Sequence, residues 1–273
     1  MGCNMVNAAA MLSWFVSTTA KCISSAPLPI QVLGPVSSTH SFINEQGRRI
    51  LLHDGYRKAA HLFDLFAVQL DLGVVWIDRG FKSAYHHYDP DRGTGMWLWP
   101  SAAEKCSEFF NRAVKLWHEK KHARAMFFLG AALHLVQDVC VPHHASCKIF
   151  DGHMDFEDWA EQRKDNYRVE RGGKYGQSVK PEEWIAENAR LAKDCFPLVS
   201  AYSAQGYHRA TEVLLARAQQ TSAGFLLLFY RAVNAPRNKV LLQTRIPRRP
   251  EGCRPKPVST LLKSPRVGKR PAS

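Results

Sequence analysis

Residues 128–147 read FLGAALHLVQDVCVPHHASC. The first eleven are apolar on every side except for His134, Gln137 and Asp138, and His134 and Asp138 stand four apart and so share one helical face. A helix that is hydrophobic all round is a buried one. Pro142 lacks an N–H and clashes with the preceding turn, so the helix ends before it and the chain turns back, presenting His143 and His144. Interiors seldom accept so many ionisable groups without giving them something to bind.

Working outward, apolar residues recur at spacings of three and four through most of the chain, and sustained alternation does not occur. The pattern predicts an all-α, single multi-helix domain. Helices are expected at about 40–54, 57–72, 101–120, 122–139, 155–169, 181–203 and 207–233. Between the second and third lies GVVWIDRGFKSAYHHYDPDRGTGMWLWP, residues 73–100, whose Gly and Pro punctuation reads as a long irregular segment. Segments of that length in a compact domain are usually functional.

At 273 residues and 45% hydrophobic composition the chain can bury a large core. The net charge of +13 is unevenly placed, because beyond Pro236 there are eleven Lys/Arg against one acid. Residues 237–273, Pro-rich and like-charged, are expected to form a disordered basic tail. The domain proper, 27–236, is then close to neutral and carries no nucleic-acid signature of its own. Residues 1–26 hold a short apolar run followed by small residues, which suits a signal peptide or N-terminal extension and a secreted or cell-surface protein, with the cytoplasm as the alternative. The seven cysteines form no CxxC pair and define neither a zinc ribbon nor a disulfide framework. No stretch approaches the ~20 apolar residues of a membrane span.

The metal-ligating residue types fall into a pattern. His134 and Asp138 form one helical pair, and His153 and Glu157, in DGHMDFEDWAEQ, form a second. His144 lies just past the proline between them, His40 opens the first helix, and Asp78 and His86 come from the irregular segment. Five imidazoles and three carboxylates without thiolates suit a zinc centre that keeps positions open for water. His53, His61, His118, His122 and His208 read as ordinary partly buried histidines, and Cys140 and Cys147 as local packing residues.

The segments STHSFINEQG, AYHHYDPD, FFLGAALHLVQDVCVPHHAS, HMDFEDWAEQRKDNYRV, PEEWI and TSAGFLLLFY, spanning Thr39 to Tyr230, resemble in order the successive signatures of the bacterial zinc-dependent phospholipases C. The resemblance implies an all-helical fold and hydrolysis of phospholipids, at a membrane surface, to diacylglycerol and a phosphorylated head group. It implies that His144, His153 and Glu157 hold one zinc and that Asp78, His86, His134 and Asp138 hold another. Asp138 would bridge to a third ion shared with His40, giving two or three zinc ions, and Asp78 would act as general base. Departures concern the third ion and the head group. Trp14 is too far from His40 to act as the family's N-terminal ligand, although cleavage after Ala26 would expose Pro27 at a suitable distance. Arg79 and Ser83 stand where choline-binding aromatics are expected, so no head-group preference carries over. Trp97 and Trp99 suit either a lipid interface or packing on the third helix. The nearest rival is a zinc nuclease of the S1/P1 type cleaving single-stranded nucleic acid; a more distant one is a non-enzymatic lipid- or nucleic-acid-binding helical module. The first reading makes nucleic acid an unlikely partner and expects a monomer.

Overall fold

The computed structural model describes residues 38–235 apart from positions 79 and 149. The expected signal segment with Trp14 and Pro27, the basic tail, Arg79 and the Ser83 side chain lie outside the described residues. Among those described there are ten α-helices, two short 3-10 segments and no strand, only an isolated bridge between Asp89 and Thr94. The all-α expectation holds.

In chain order the helices are α1 (Ser38–His53), α2 (Arg57–Leu65), α3 (Ala67–Ile77), α4 (Ala102–His118), α5 (His122–Asp138), α6 (Pro142–Ala145), α7 (His153–Glu161), α8 (Pro181–Asp194), α9 (Phe196–Val199) and α10 (Ala204–Asn234). The sequence pattern misplaces four boundaries, one of them the end of the helix expected at 155–169, which stops at Glu161 before the 3-10 segment Lys164–Tyr167. The pattern runs one helix over 57–72, whereas the chain bends by 67° at Phe66 and continues as α3 to Ile77. It treats Gly73 as the start of the irregular segment, yet Gly73 is buried inside α3. It also joins 181–203, where Cys195 separates α8 from α9.

The reason for Gly73 is packing. α5 lies at the centre, with every residue from Phe128 to Asp138 buried, and α3 crosses it closely. A Cβ on Gly73 would run into the Phe127 carbonyl, and one on Gly130 would run into the Leu70 carbonyl. Two glycines therefore let the backbones of α3 and α5 approach closely enough to bring the end of α3, with Asp78, beside the face of α5 that carries His134. The bend at Phe66 serves the same end, since it turns a strongly apolar segment inward so that Leu70, Val74 and Ile77 join the core. No single helix among the described residues is long and apolar enough to cross a membrane.

α4 begins at a capping box, in which the Ser101 hydroxyl accepts from Glu104 N and the Glu104 carboxylate accepts from Ser101 N. At 31 residues α10 is the longest helix, and it packs along α1. The turn after α5 is tight. Val141 N donates to Asp138 O (2.9 Å), and Pro142 then occupies the first turn of α6, where its missing N–H is harmless.

Candidate metal centre

Five segments converge at the C-terminal end of α5. His134 and Asp138 project from its last turns, His144 from α6, His153 and Glu157 from α7, His40 from the first turn of α1, Asp78 from the end of α3 and His86 from the 3-10 segment Gly80–His86. These eight side chains fall into four overlapping groups. Each group offers three ligand atoms within 4.8 Å of one another: His40/His134/Asp138, Asp78/His86/His134, His86/Asp138/His144 and His144/His153/Glu157. All eight sequence-predicted ligands are in these groups.

Asp138 is the hub. Its carboxylate lies 3.7 Å from His40 Nε2, 3.1 Å from His86 Nδ1 and 3.2 Å from His144 Nδ1. His153 Nε2 sits 2.8 Å from His144 Nε2 and 2.7 Å from Glu157 Oε1, and His144 Nε2 is 3.3 Å from that same oxygen. Two imidazole nitrogens and a carboxylate oxygen pointing at one spot is ligand geometry. If both nitrogens present lone pairs they repel, and a shared cation removes the repulsion.

The buried polar atoms show how well this donor set fits zinc. His134 is fully buried and neither ring nitrogen has a hydrogen-bond partner, while Asp138 Oδ2 and His144 Nδ1, both buried, meet only each other and His86 Nδ1 at ion-pair distance. Leaving such groups unpaired costs about 1–3 kcal/mol each. Divalent ions that bind nitrogen and oxygen would take one nitrogen of each of these rings and the Asp138 carboxylate as ligands, so the residues present fit zinc.

Electrostatics separates the rings. Burial, reinforced by neighbouring His40 and His86, drives His134 well below the ordinary imidazole range, so it is neutral and one of its two nitrogens has a lone pair free to ligate. Burial opposes ionisation of Asp138, yet His144 and His86 outweigh it and hold the carboxyl well below the usual carboxylate range. Burial likewise opposes Glu157, whose hydrogen bonds with His144 and His153 bring it down to about 2. Both carboxylates are thus charged, as cation ligands must be.

Three residues beside the centre escaped the sequence reading. His87 is buried, stacks on His144 at 4.9 Å between centroids and is pushed by burial to about 3. His143 is buried with Nε2 on the Asp151 carbonyl (2.8 Å), which tethers the loop leading into α7. Gln137 holds His40. The doublets His86–His87 and His143–His144 were the available signal for the two histidines, but nothing in the spacing says which member of a doublet points at the centre. Cys140 is buried, its thiol pushed up to about 12, and Cys147 is half-buried. Both agree with the packing role expected of them.

Two cavities flank the cluster. One of about 490 Å³ abuts His40 and Glu157 and has apolar walls that include Ile43, Phe156 and Leu214. The other, of about 240 Å³, lies between Asp89, Arg92 and Trp97 on one side and Ser146 and Cys147 on the other.

The family model described as zinc dependent phospholipase C matches residues 39–209. The phospholipase C of Paraclostridium bifermentans is 26% identical over 238 residues, covering 72% of this chain and 60% of that protein. That of Listeria monocytogenes is 28% identical over 228 residues, covering 72% and 78%. A Bacillus cereus phospholipase C is 36% identical over a shorter stretch of 118 residues, 40% of this chain and 42% of the relative. The chain therefore spans about 60% of the length of the Paraclostridium protein. Among solved structures, the alpha-toxin of Clostridium perfringens avian strain SWCP superposes with a TM-score of 0.64 at 25% identity, over 73% of this chain and 65% of the toxin. The alpha toxin of Clostridium absonum has the same fold, with a TM-score of 0.65 at 23% identity over 72% and 65%. With a match that covers more than half of its length and an all-helical fold shared with these toxins, this chain belongs to the zinc dependent phospholipase C family.

Proposed function

We propose that this chain is a zinc-dependent phospholipase C, which hydrolyses the glycerol-side phosphodiester of a phospholipid to diacylglycerol and a phosphorylated head group. The observation that carries the reading is the convergence of eight His and carboxylate side chains into four overlapping three-ligand groups. In this reading His144, His153 and Glu157 hold one zinc, and Asp78, His86, His134 and Asp138 hold another. Asp138, whose two oxygens face different imidazoles, would be shared between the second ion and a third held with His40. Zinc bound there supplies positive charge for the phosphodiester oxygens and acidifies water at neutral pH. Asp78 is the member of the set that remains exposed, at the C-terminal end of α3. An exposed carboxylate there supports the reading of Asp78 as general base, taking a proton from the attacking water as the P–O bond to glycerol breaks and solvent protonates the departing alkoxide. The buried rings of His86, His134 and His144, packed against one another, keep the ligand set rigid.

The lipid surface has its own candidate residues. Trp97 is 90% exposed, Leu98 fully exposed and Phe150 98% exposed, on two segments that border the smaller cavity. Trp97 is held at a φ of +55°, a left-handed conformation that a tryptophan seldom adopts. Trp99 divides its role, half-exposed and edge-on to Tyr85. We assign this apolar rim to the phospholipid interface. The triple substitution Trp97→Ser, Leu98→Ser, Phe150→Ser is expected to lower hydrolysis of phosphatidylcholine vesicles by at least tenfold, about 1.4 kcal/mol of binding. Hydrolysis of a short-chain phospholipid below its micellar concentration should not change. An equal loss on both substrates would show that the rim acts elsewhere. The apolar run in residues 8–16 fits export to where such lipids are met.

The reaction class is tested on the purified full chain loaded with zinc. Phosphatidylcholine vesicles should release diacylglycerol, single-stranded DNA should remain intact, and elemental analysis should find two or three zinc ions per chain. Cleavage of the DNA in place of the lipid would support the nuclease reading, and a chain without zinc would sink both. The curated relatives matched here are phospholipases C, which favours the lipid.

A further inference from the structure

A buried line of hydrogen bonds leads away from His40. His40 Nδ1 meets Gln137 Oε1 at 2.9 Å, Gln137 Nε2 meets Asn44 Oδ1 at 2.8 Å, and Asn44 Nδ2 meets Asp71 Oδ1 at 2.7 Å. Gln137 Nε2 gives its second hydrogen to Ser222 Oγ at 3.1 Å. Asn44, Gln137 and Ser222 are fully or almost fully buried. The line crosses three helices, α1, α5 and α3, and ends at a partly exposed carboxylate.

Such a line has a direction, and only its far end sets it. Asp71 is partly exposed, and as an ionised carboxylate it can only accept. Asn44 must then turn its NH2 to Asp71 and its oxygen to Gln137. Gln137 in turn must present its NH2 to Asn44 and its oxygen to His40. The hydrogen of this last contact can come only from His40 Nδ1. A neutral imidazole with hydrogen on Nδ1 has its lone pair on Nε2, and Nε2 is the atom that faces Asp138 across 3.7 Å.

We infer that Asp71, acting through Asn44 and Gln137, is a positioning residue that fixes His40 as the Nδ1–H tautomer with its Nε2 lone pair aimed into the metal centre. The consequence for zinc rests on the proposed function; the tautomer does not. Reversing the line would place the hydrogen on Nε2, and His40 would then present an N–H to the cation. Partners that orient a ligating histidine typically contribute 10–100-fold to metal affinity.

Asp71→Asn is the decisive change, because an amide can offer either an oxygen or an NH2 to Asn44 and so no longer sets the direction. Asp64→Asn is the control, an exposed carboxylate lost from the neighbouring helix. Imidazole nitrogen NMR on the full chain, zinc-loaded and chelated, reads the tautomer, and chelator competition reads the weakest-held zinc. In the wild type and in Asp64→Asn, His40 should show a protonated Nδ1. Asp71→Asn should show a mixture, and its weakest zinc should bind at least about tenfold less tightly. A wild-type His40 protonated on Nε2 would overturn the inference without any variant, which keeps it testable if Asp71→Asn fails to fold. An Asp71→Asn protein with pure Nδ1–H and wild-type zinc affinity would overturn it too. A chain that takes up no zinc would sink the proposed function and leave the tautomer to decide this point.

Discussion

Asp138→Asn is expected to abolish phospholipid hydrolysis and to remove at least one zinc ion per chain while leaving the helical fold intact. Asparagine has nearly the same shape as aspartate, so packing at the end of α5 is preserved. The main-chain turn also survives, because Val141 N donates to the backbone carbonyl of residue 138. What changes is charge and valency. Asp138 touches three imidazoles from three different segments, and it belongs to two of the four ligand groups. The amide has one oxygen in place of two equivalent ones, and it turns an NH2 toward rings whose lone pairs already point inward. Two ions cannot then share the residue. The loss should exceed the roughly 10–100-fold typical of residues that merely orient a ligand. Phosphatidylcholine turnover and zinc content, measured on the same preparation, give the answer. Activity within tenfold of wild type would mean that Asp138 is not a ligand.

The ease with which position 138 was singled out has a physical basis. A four-residue spacing on a helix fixes direction, so His134/Asp138 and His153/Glu157 could be read as pairs before any coordinates. Pro142 fixes a chain reversal, and this made His144 a member of the set. His40, Asp78 and His86 are different, because no local rule brings the start of α1 or the end of α3 to the end of α5. Their residue types count them into the set, but their assignment to particular ions rests on resemblance to the family's successive signatures. The close crossing that delivers Asp78 depends on Gly73 and Gly130, and Gly73 was taken for a loop residue because glycine inside a helix is locally unfavourable. Its benefit appears only when the second helix is present. Asn44, Gln137 and Asp71 were invisible for a related reason. Each is an unremarkable polar residue in its own helix, and the direction that they impose on His40 exists only where three helices meet.

The same logic sets stability against function at His134. This ring is completely buried, no protein group hydrogen-bonds to either of its nitrogens, and its neighbours keep it neutral. Leucine is of comparable volume and has nothing to satisfy, and the flanking residues Leu133 and Leu135 are also fully buried. His134→Leu should therefore make the metal-free protein more stable, by about 1–3 kcal/mol for the relieved polar group. For a body of this size, each kcal/mol corresponds to about 2–4 °C in Tm. Zinc should reverse the order. The wild type gains about 2.7 kcal/mol when zinc is present at a hundred times its Kd, and more when binding is tighter. The variant has lost the ligand common to the His40 and Asp78 groups and should gain less and show no hydrolysis. Thermal unfolding of both proteins, chelated and zinc-loaded, reads the crossover directly. A chelated His134→Leu protein that melts at or below chelated wild type would mean that ordered water already satisfies the imidazole, and the principal sign that this cavity is built for a cation would be gone.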